Sequence, residues 1–214
     1  MSRAEHAAAF LAAVDLSREL ATTPQVAAAW DRESSCSGMT VGGLTHHLLQ
    51  QADLVADGLR AEPKAQEPIT LAEHYERAAW VRAAPEDEVN VGIREGGNEQ
   101  ARSGRDAVLA GARVTIDALP ALLAAPRDPD TIHLPWQGWS LTTTDFLTTR
   151  MMELVVHGDD LASSVDLDTP THRREVIEPV LALLTGVAVR RHGQAALVRA
   201  LSRPQRAPGS VSAF

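Results

Sequence analysis

The chain has 214 residues, 44% of them hydrophobic and 22% charged, which fits one sizeable folded domain rather than a disordered or fibrous chain. Twenty Lys and Arg against 28 Asp and Glu give a formal charge of −8 without a basic stripe, so nucleic acid is excluded as a partner. No unbroken apolar run approaches the ~18 residues of a membrane span, and residues 1–6 start an amphipathic pattern without a signal-peptide core, so a cytoplasmic protein with no membrane contact is expected.

Ala7, Phe10, Leu11, Val14 and Leu20 recur at helical spacing over residues 4–21, and Thr22-Thr23-Pro24 closes that helix. A loop carrying Trp30 and Cys36 is expected next. Cys36 is the single cysteine, which rules out an intrachain disulfide. A small half-buried residue is its commoner role, and a reactive thiol the rarer one. Thr40 is a candidate N-cap for a helix running through Leu44, Leu48, Ala52 and Val55 to residue 59. Gly42 and Gly43 in its first turn each weaken it by about 1 kcal/mol, which makes sense where another backbone or a ligand comes close.

Pro63 and Pro68 mark residues 61–70 as a linker, followed by a short helix over 71–83 that stops at Pro85. Residues 88–98, with Gly92, Gly96 and Gly97, fit loop and helix equally. Val108, Ala112, Ile116, Leu119 and Leu123 place a long helix over 99–125, with a kink at Pro120. Residues 131–136 and 138–141 read as two short extended segments around a glycine turn. A helix over 142–165 follows, with a threonine N-cap and Asp145 in its first turn. Further helices cover 173–191 and 195–201, and the tail 203–214 is expected to be mobile. The fold class is therefore all-α: a four-helix bundle over residues 1–168, a small hairpin insertion before its last helix, and a short helical C-terminal extension, 169–214, packed on the same domain.

Glu153 and His157 lie four apart in an apolar run of the 142–165 helix. That spacing stacks two side chains about 5–6 Å apart at Cβ. A carboxylate and an imidazole so placed are two-thirds of a common metal site, although such a pair alone is more often a surface contact. Met152, Val156 and Leu161 turn this face inward, where a buried carboxylate needs a partner or a cation. The 40–59 helix offers a third donor. His47 falls among Leu44, Leu48 and Gln51 on the buried side, and His46 sits about 100° away, nearer solvent. His-Glu-x-x-His, Gly-x-Ser-x-Gly and Gly-Lys-Ser/Thr patterns are all missing, which leaves zinc-protease, serine-hydrolase and phosphate-loop readings unsupported. Trp30, Trp80, Trp136 and Trp139 are candidate pocket residues, with core packing the commoner role of each.

Two stretches carry a resemblance. Cys36-Ser-Gly-Met-Thr-Val-Gly-Gly-Leu-Thr-His-His-Leu and Arg150-Met-Met-Glu-Leu-Val-Val-His-Gly-Asp-Asp-Leu-Ala, in that order, resemble the signatures of the mycothiol-dependent maleylpyruvate isomerase N-terminal domain family, a branch of the DinB-like metal-binding four-helix bundles. The second is similar to the family's Arg-x-x-Glu-Leu-x-x-His-x-x-Asp-Leu-Ala. The likeness spans roughly residues 5–165. It implies a divalent metal ion held by His47, Glu153 and His157: zinc first, with nickel, iron and manganese as alternatives. It further implies a metal-dependent S-transferase or isomerase that activates a low-molecular-weight thiol, with mycothiol as co-substrate, a small-molecule electrophile as substrate, and a homodimer as candidate assembly. Asp160 would orient a ligand, and Arg150 would neutralise local charge. Met39 stands where the family carries Trp, Gly42-Gly43 where it carries Arg-Asp, and the part after the bundle is shorter than the isomerase's second domain. The alternative is a non-catalytic metal-binding bundle acting in stress response or as a dimeric binding module.

Overall fold

The computed structural model describes residues 1–81 and 86–214. In chain order it contains α1 (Arg3–Ala21), α2 (Pro24–Ala28), α3 (Val41–Arg60), α4 (Leu71–Arg77), α5 (Glu88–Ala101), α6 (Arg105–Ala124), β1 (Thr131–Leu134), β2 (Trp139–Thr142), α7 (Thr143–Ser164), α8 (Arg174–His192) and α9 (Gln194–Ser202). Four long helices make the bundle: α7 packs between α1 and α3, and α6 closes the ring against α3 and α1. Phe10, Leu44, Leu48, Leu119, Leu147 and Met151 fill its interior with almost no exposure. Of the positions read as apolar-periodic in the sequence, Phe10, Val14, Leu44, Leu48, Ala52, Val55, Ile116, Leu119 and Leu123 lie in this core, while Ala7 and Leu11 are partly buried at its edge.

Helix starts follow local chemistry. Ser2 and Glu5 form a capping box on α1, Thr40 accepts from the Gly43 amide on α3, and Thr142 accepts from the Asp145 amide on α7. β1 and β2 pair antiparallel from Thr131 opposite Thr142 to Leu134 opposite Trp139, with Gly138 at a φ of 82° in the turn. Arg127 joins this hairpin to the end of α3: its guanidinium donates to the carbonyls of Leu59 (2.8 Å), Ala61 (2.9 Å) and Thr131 (2.8 Å). α8 packs on α7 and α1, and α4 packs on α8.

Several expectations need correction. The stretch after α1 is not all loop, because Thr23 caps the short α2 through the Val26 amide and Pro24 occupies its first turn. Residues 88–98 are helical, and the long helix expected over 99–125 is broken. α5 ends at Ala101, Gly104 takes a φ of 89°, and α6 starts at Arg105. The helix expected over 71–83 stops at Arg77 and is followed by a 3-10 turn, Ala79–Val81. Its expected end at residue 83 and the stop at Pro85 lie outside the described residues. The tail is not loose: His192 bonds the Ser212 carbonyl at 2.8 Å, and the Phe214 ring lies 4.9 Å from Trp80 and 5.9 Å from Tyr75. Finally, α6 is long and apolar enough, by length and composition, to cross a membrane. Arg113 and Asp117 interrupt its apolar run in the sequence and pair at 3.7 Å on its outer face, while Val108, Ala112, Ile116, Leu119 and Leu123 face the bundle.

Candidate metal centre

α3 and α7 run antiparallel, which sets His47 beside Glu153, Gln51 beside Arg150, and Gly58 near Phe146. His47 projects from the same side of α3 as Leu44 and Leu48, which are fully buried. Glu153 and His157, one turn apart on α7, face it. Glu153 Oε2 lies 3.2 Å from His157 Nε2 and 3.8 Å from His47 Nε2. One donor atom from each of the three residues lies within 4.8 Å of the other two. Their side chains retain 17% (His47), 14% (Glu153) and 23% (His157) of full exposure, so the cluster is sheltered but not sealed.

The neighbouring groups fix these three. Glu153 Oε1 faces the Arg150 guanidinium at 3.9 Å, and Arg150 also donates to Gln51 Oε1 at 2.8 Å. The two carboxylate oxygens are thereby divided, one toward the histidines and one toward the cation. His157 Nδ1 lies 2.9 Å from Asp160 Oδ2, which directs Nε2 toward Glu153. The Cys36 thiol, His157 and Asp160 form a second group of close donors sharing the same imidazole. The loop bearing Cys36 is pinned on both sides. Ser35 Oγ donates to the Asp160 carbonyl at 2.8 Å, the Ser35 amide donates to Ser164 Oγ at 2.9 Å, and Asn98 Nδ2 on α5 donates to the Gly38 carbonyl at 2.9 Å. Asn98 Oδ1 accepts in turn from the Thr40 amide at the start of α3.

Charge follows this geometry. Burial pushes the Glu153 carboxyl up, but hydrogen bonds from His157 and His47 and the Arg150 charge outweigh it and hold it well below the carboxylate range. Burial pushes His157 down. Hydrogen bonds to Asp160, Cys36 and Glu153, with the Glu153 charge, reverse this and hold it well above an ordinary histidine. Asp160 is lowered: burial opposes ionisation, and the His157 hydrogen bond and charge prevail.

Three donors of the His-Glu-His type whose Glu153 contacts measure 3.2 and 3.8 Å suit a shared divalent cation. Ligand atoms at ~2.0–2.2 Å from a four-coordinate ion lie about 3.3–3.6 Å from one another. His46 does not join them. It lines a separate groove against α6 with Asp53, Gln100 and Ser103, and its Nδ1 is buried without a hydrogen-bond partner among the described residues. Of the four tryptophans, Trp30 covers Gly42 and donates to the Ala101 carbonyl at 3.2 Å, Trp136 is exposed, and Trp139 donates to His74 Nδ1 at 3.1 Å. Trp80 lines a cavity together with Tyr75 and Phe214.

The family model described as mycothiol maleylpyruvate isomerase N-terminal domain matches residues 10–162. No curated protein and no solved structure matches the chain significantly.

Proposed function

We propose, since the chain belongs to the mycothiol maleylpyruvate isomerase N-terminal domain family, that it is a divalent-metal-dependent enzyme activating a low-molecular-weight thiol, as a mycothiol-type S-transferase or isomerase. The observation that carries this reading is the convergence of His47 Nε2, Glu153 Oε2 and His157 Nε2 from two antiparallel helices. These three residues would hold the ion, zinc in the first instance given two imidazoles and one carboxylate. When bound, such an ion supplies the Lewis acidity that lets a thiol ionise near neutral pH. Asp160 accepts the His157 Nδ1 proton in a hydrogen bond and so keeps Nε2 free as a donor atom. Arg150 holds the second Glu153 oxygen and limits how that carboxylate turns.

Metal analysis of the purified untagged protein tests the reading first. About one equivalent is expected for the wild type, and none for His47→Ala or Glu153→Ala. Consumption of thiol by the loaded protein with a panel of electrophiles then tests the chemistry. If no thiol is consumed with any pairing, the transferase reading fails and the metal assignment stands.

One observation favours a second, non-catalytic reading. The Cys36 thiol stands beside His157 and Asp160, outside the close-donor group of His47, Glu153 and His157; brought into the fourth position, its sulfur would close the coordination and make the site structural. Under that reading Cys36→Ser lowers metal retention. Under the enzymatic reading it leaves metal content unchanged.

A further inference from the structure

A cavity of about 660 Å³ opens on the side of the molecule where α4, the turn Ala79–Val81 and the end of α8 meet the tail. Its volume falls within the ~300–1,000 Å³ of small-molecule sites. Trp80 and Phe214, with ring centres 4.9 Å apart, supply aromatic walls. Arg190 and Arg191 supply two guanidinium groups at the same cavity. Their hydrogen-bond partners are main-chain carbonyls, Ala72 and Ala213, and among the described residues neither has a carboxylate within ion-pairing distance. Glu76 is the acidic residue of the lining and is exposed.

Tyr75 backs the cavity with its ring, 6.0 Å from Trp80 and 5.9 Å from Phe214, while its hydroxyl is sealed from the cavity and feels the charges of Glu153 and Arg150.

We propose that this cavity binds a planar aromatic carboxylate, with its carboxylate on Arg190 and Arg191 and its ring laid against the faces of Trp80 and Phe214. Guanidinium groups pair with carboxylates in a fork that a neutral amide cannot reproduce. Aromatic walls favour a flat body over an aliphatic one of equal charge. None of the lining residues belongs to the His47–Glu153–His157 cluster, so the assignment is independent of the metal reading.

The test is calorimetric titration of the full chain with trans-cinnamate, its neutral analogue cinnamamide, and hexanoate. Cinnamate is expected to bind one per chain with a Kd on the order of 0.1–1 mM. Cinnamamide and hexanoate are expected to bind about tenfold or more weakly. Arg191→Gln, at an exposed position, is expected to weaken cinnamate about tenfold, with thermal melts confirming that the variant folds. Absence of cinnamate binding to the wild type overturns the proposal, as does equal binding of cinnamate and cinnamamide, and both comparisons need no variant. His47→Ala should bind cinnamate as the wild type does, which separates failure here from failure of the metal reading.

Discussion

His157 engages both ring nitrogens, Nε2 with Glu153 and Nδ1 with Asp160, so its direction depends on a residue outside the donor cluster. Asp160→Asn is expected to lower metal affinity about 10–100-fold, read by competition with a chromogenic chelator. Unchanged affinity would reduce Asp160 to a local hydrogen-bond acceptor. His74 offers a second test at this scale. Burial, then the Arg150 charge, pushes it down to about 4 despite an opposing pull from Glu153, and its Nδ1 accepts from Trp139 only in the neutral ring. The unfolded chain, with a histidine near 6.5, binds more protons than the folded one between these values. Stability is therefore full above about pH 6.5 and declines as pH falls toward 4, by up to about 3 kcal/mol. Urea melts across pH 7 to 4 should show this decline in the wild type and a smaller one in His74→Gln. Helical spacing turned His47, Glu153 and His157 inward in the sequence, but their choice as one donor set came from the resemblance carried by the two motifs. His74, Tyr75 and Asn98 were not legible, because their meaning comes from partners such as Trp139 and Gly38 that no local pattern brings together.

The same division holds for elements. α1 was readable from its apolar spacing, and α3 and α7 from their threonine caps as well, since each buries a continuous apolar stripe. The break between α5 and α6 was not, because Gly104 follows a stretch that propagates helix on both sides. Its positive φ, the Ser103 hydroxyl on the Gln100 carbonyl and the Trp30 bond to the Ala101 carbonyl mark the stop. Gly42 and Gly43 carry a cost whose cause is now visible. A Cβ on Gly42 would come within 2.6 Å of the Trp30 ring, and Gly97 of α5 packs on the Gly43 carbonyl. Gly42→Ala is therefore expected to destabilise. Overpacking of about 1–3 kcal/mol exceeds the ~1 kcal/mol gained in helix propensity, and a lower urea midpoint is the readout. A higher midpoint would mean that Trp30 moves aside freely.

At the scale of the molecule, the proposed ion joins helices far apart in sequence, so its binding and the fold are linked. Saturating metal at about 1,000 times Kd should raise apparent stability by about 4 kcal/mol in the wild type and leave Glu153→Ala unmoved. α3 and α7 are also joined remotely, where Arg127 ties the last carbonyls of α3 to the hairpin that leads into α7. The two helices then work as a pair of tongs, riveted at one end by a guanidinium, with the donors on the jaws. Releasing the rivet would let the end of α3 shift against α7 and so alter the spacing of His47 and Glu153. Arg127→Met, which touches none of the donors, should therefore loosen the grip on the ion as well as the fold.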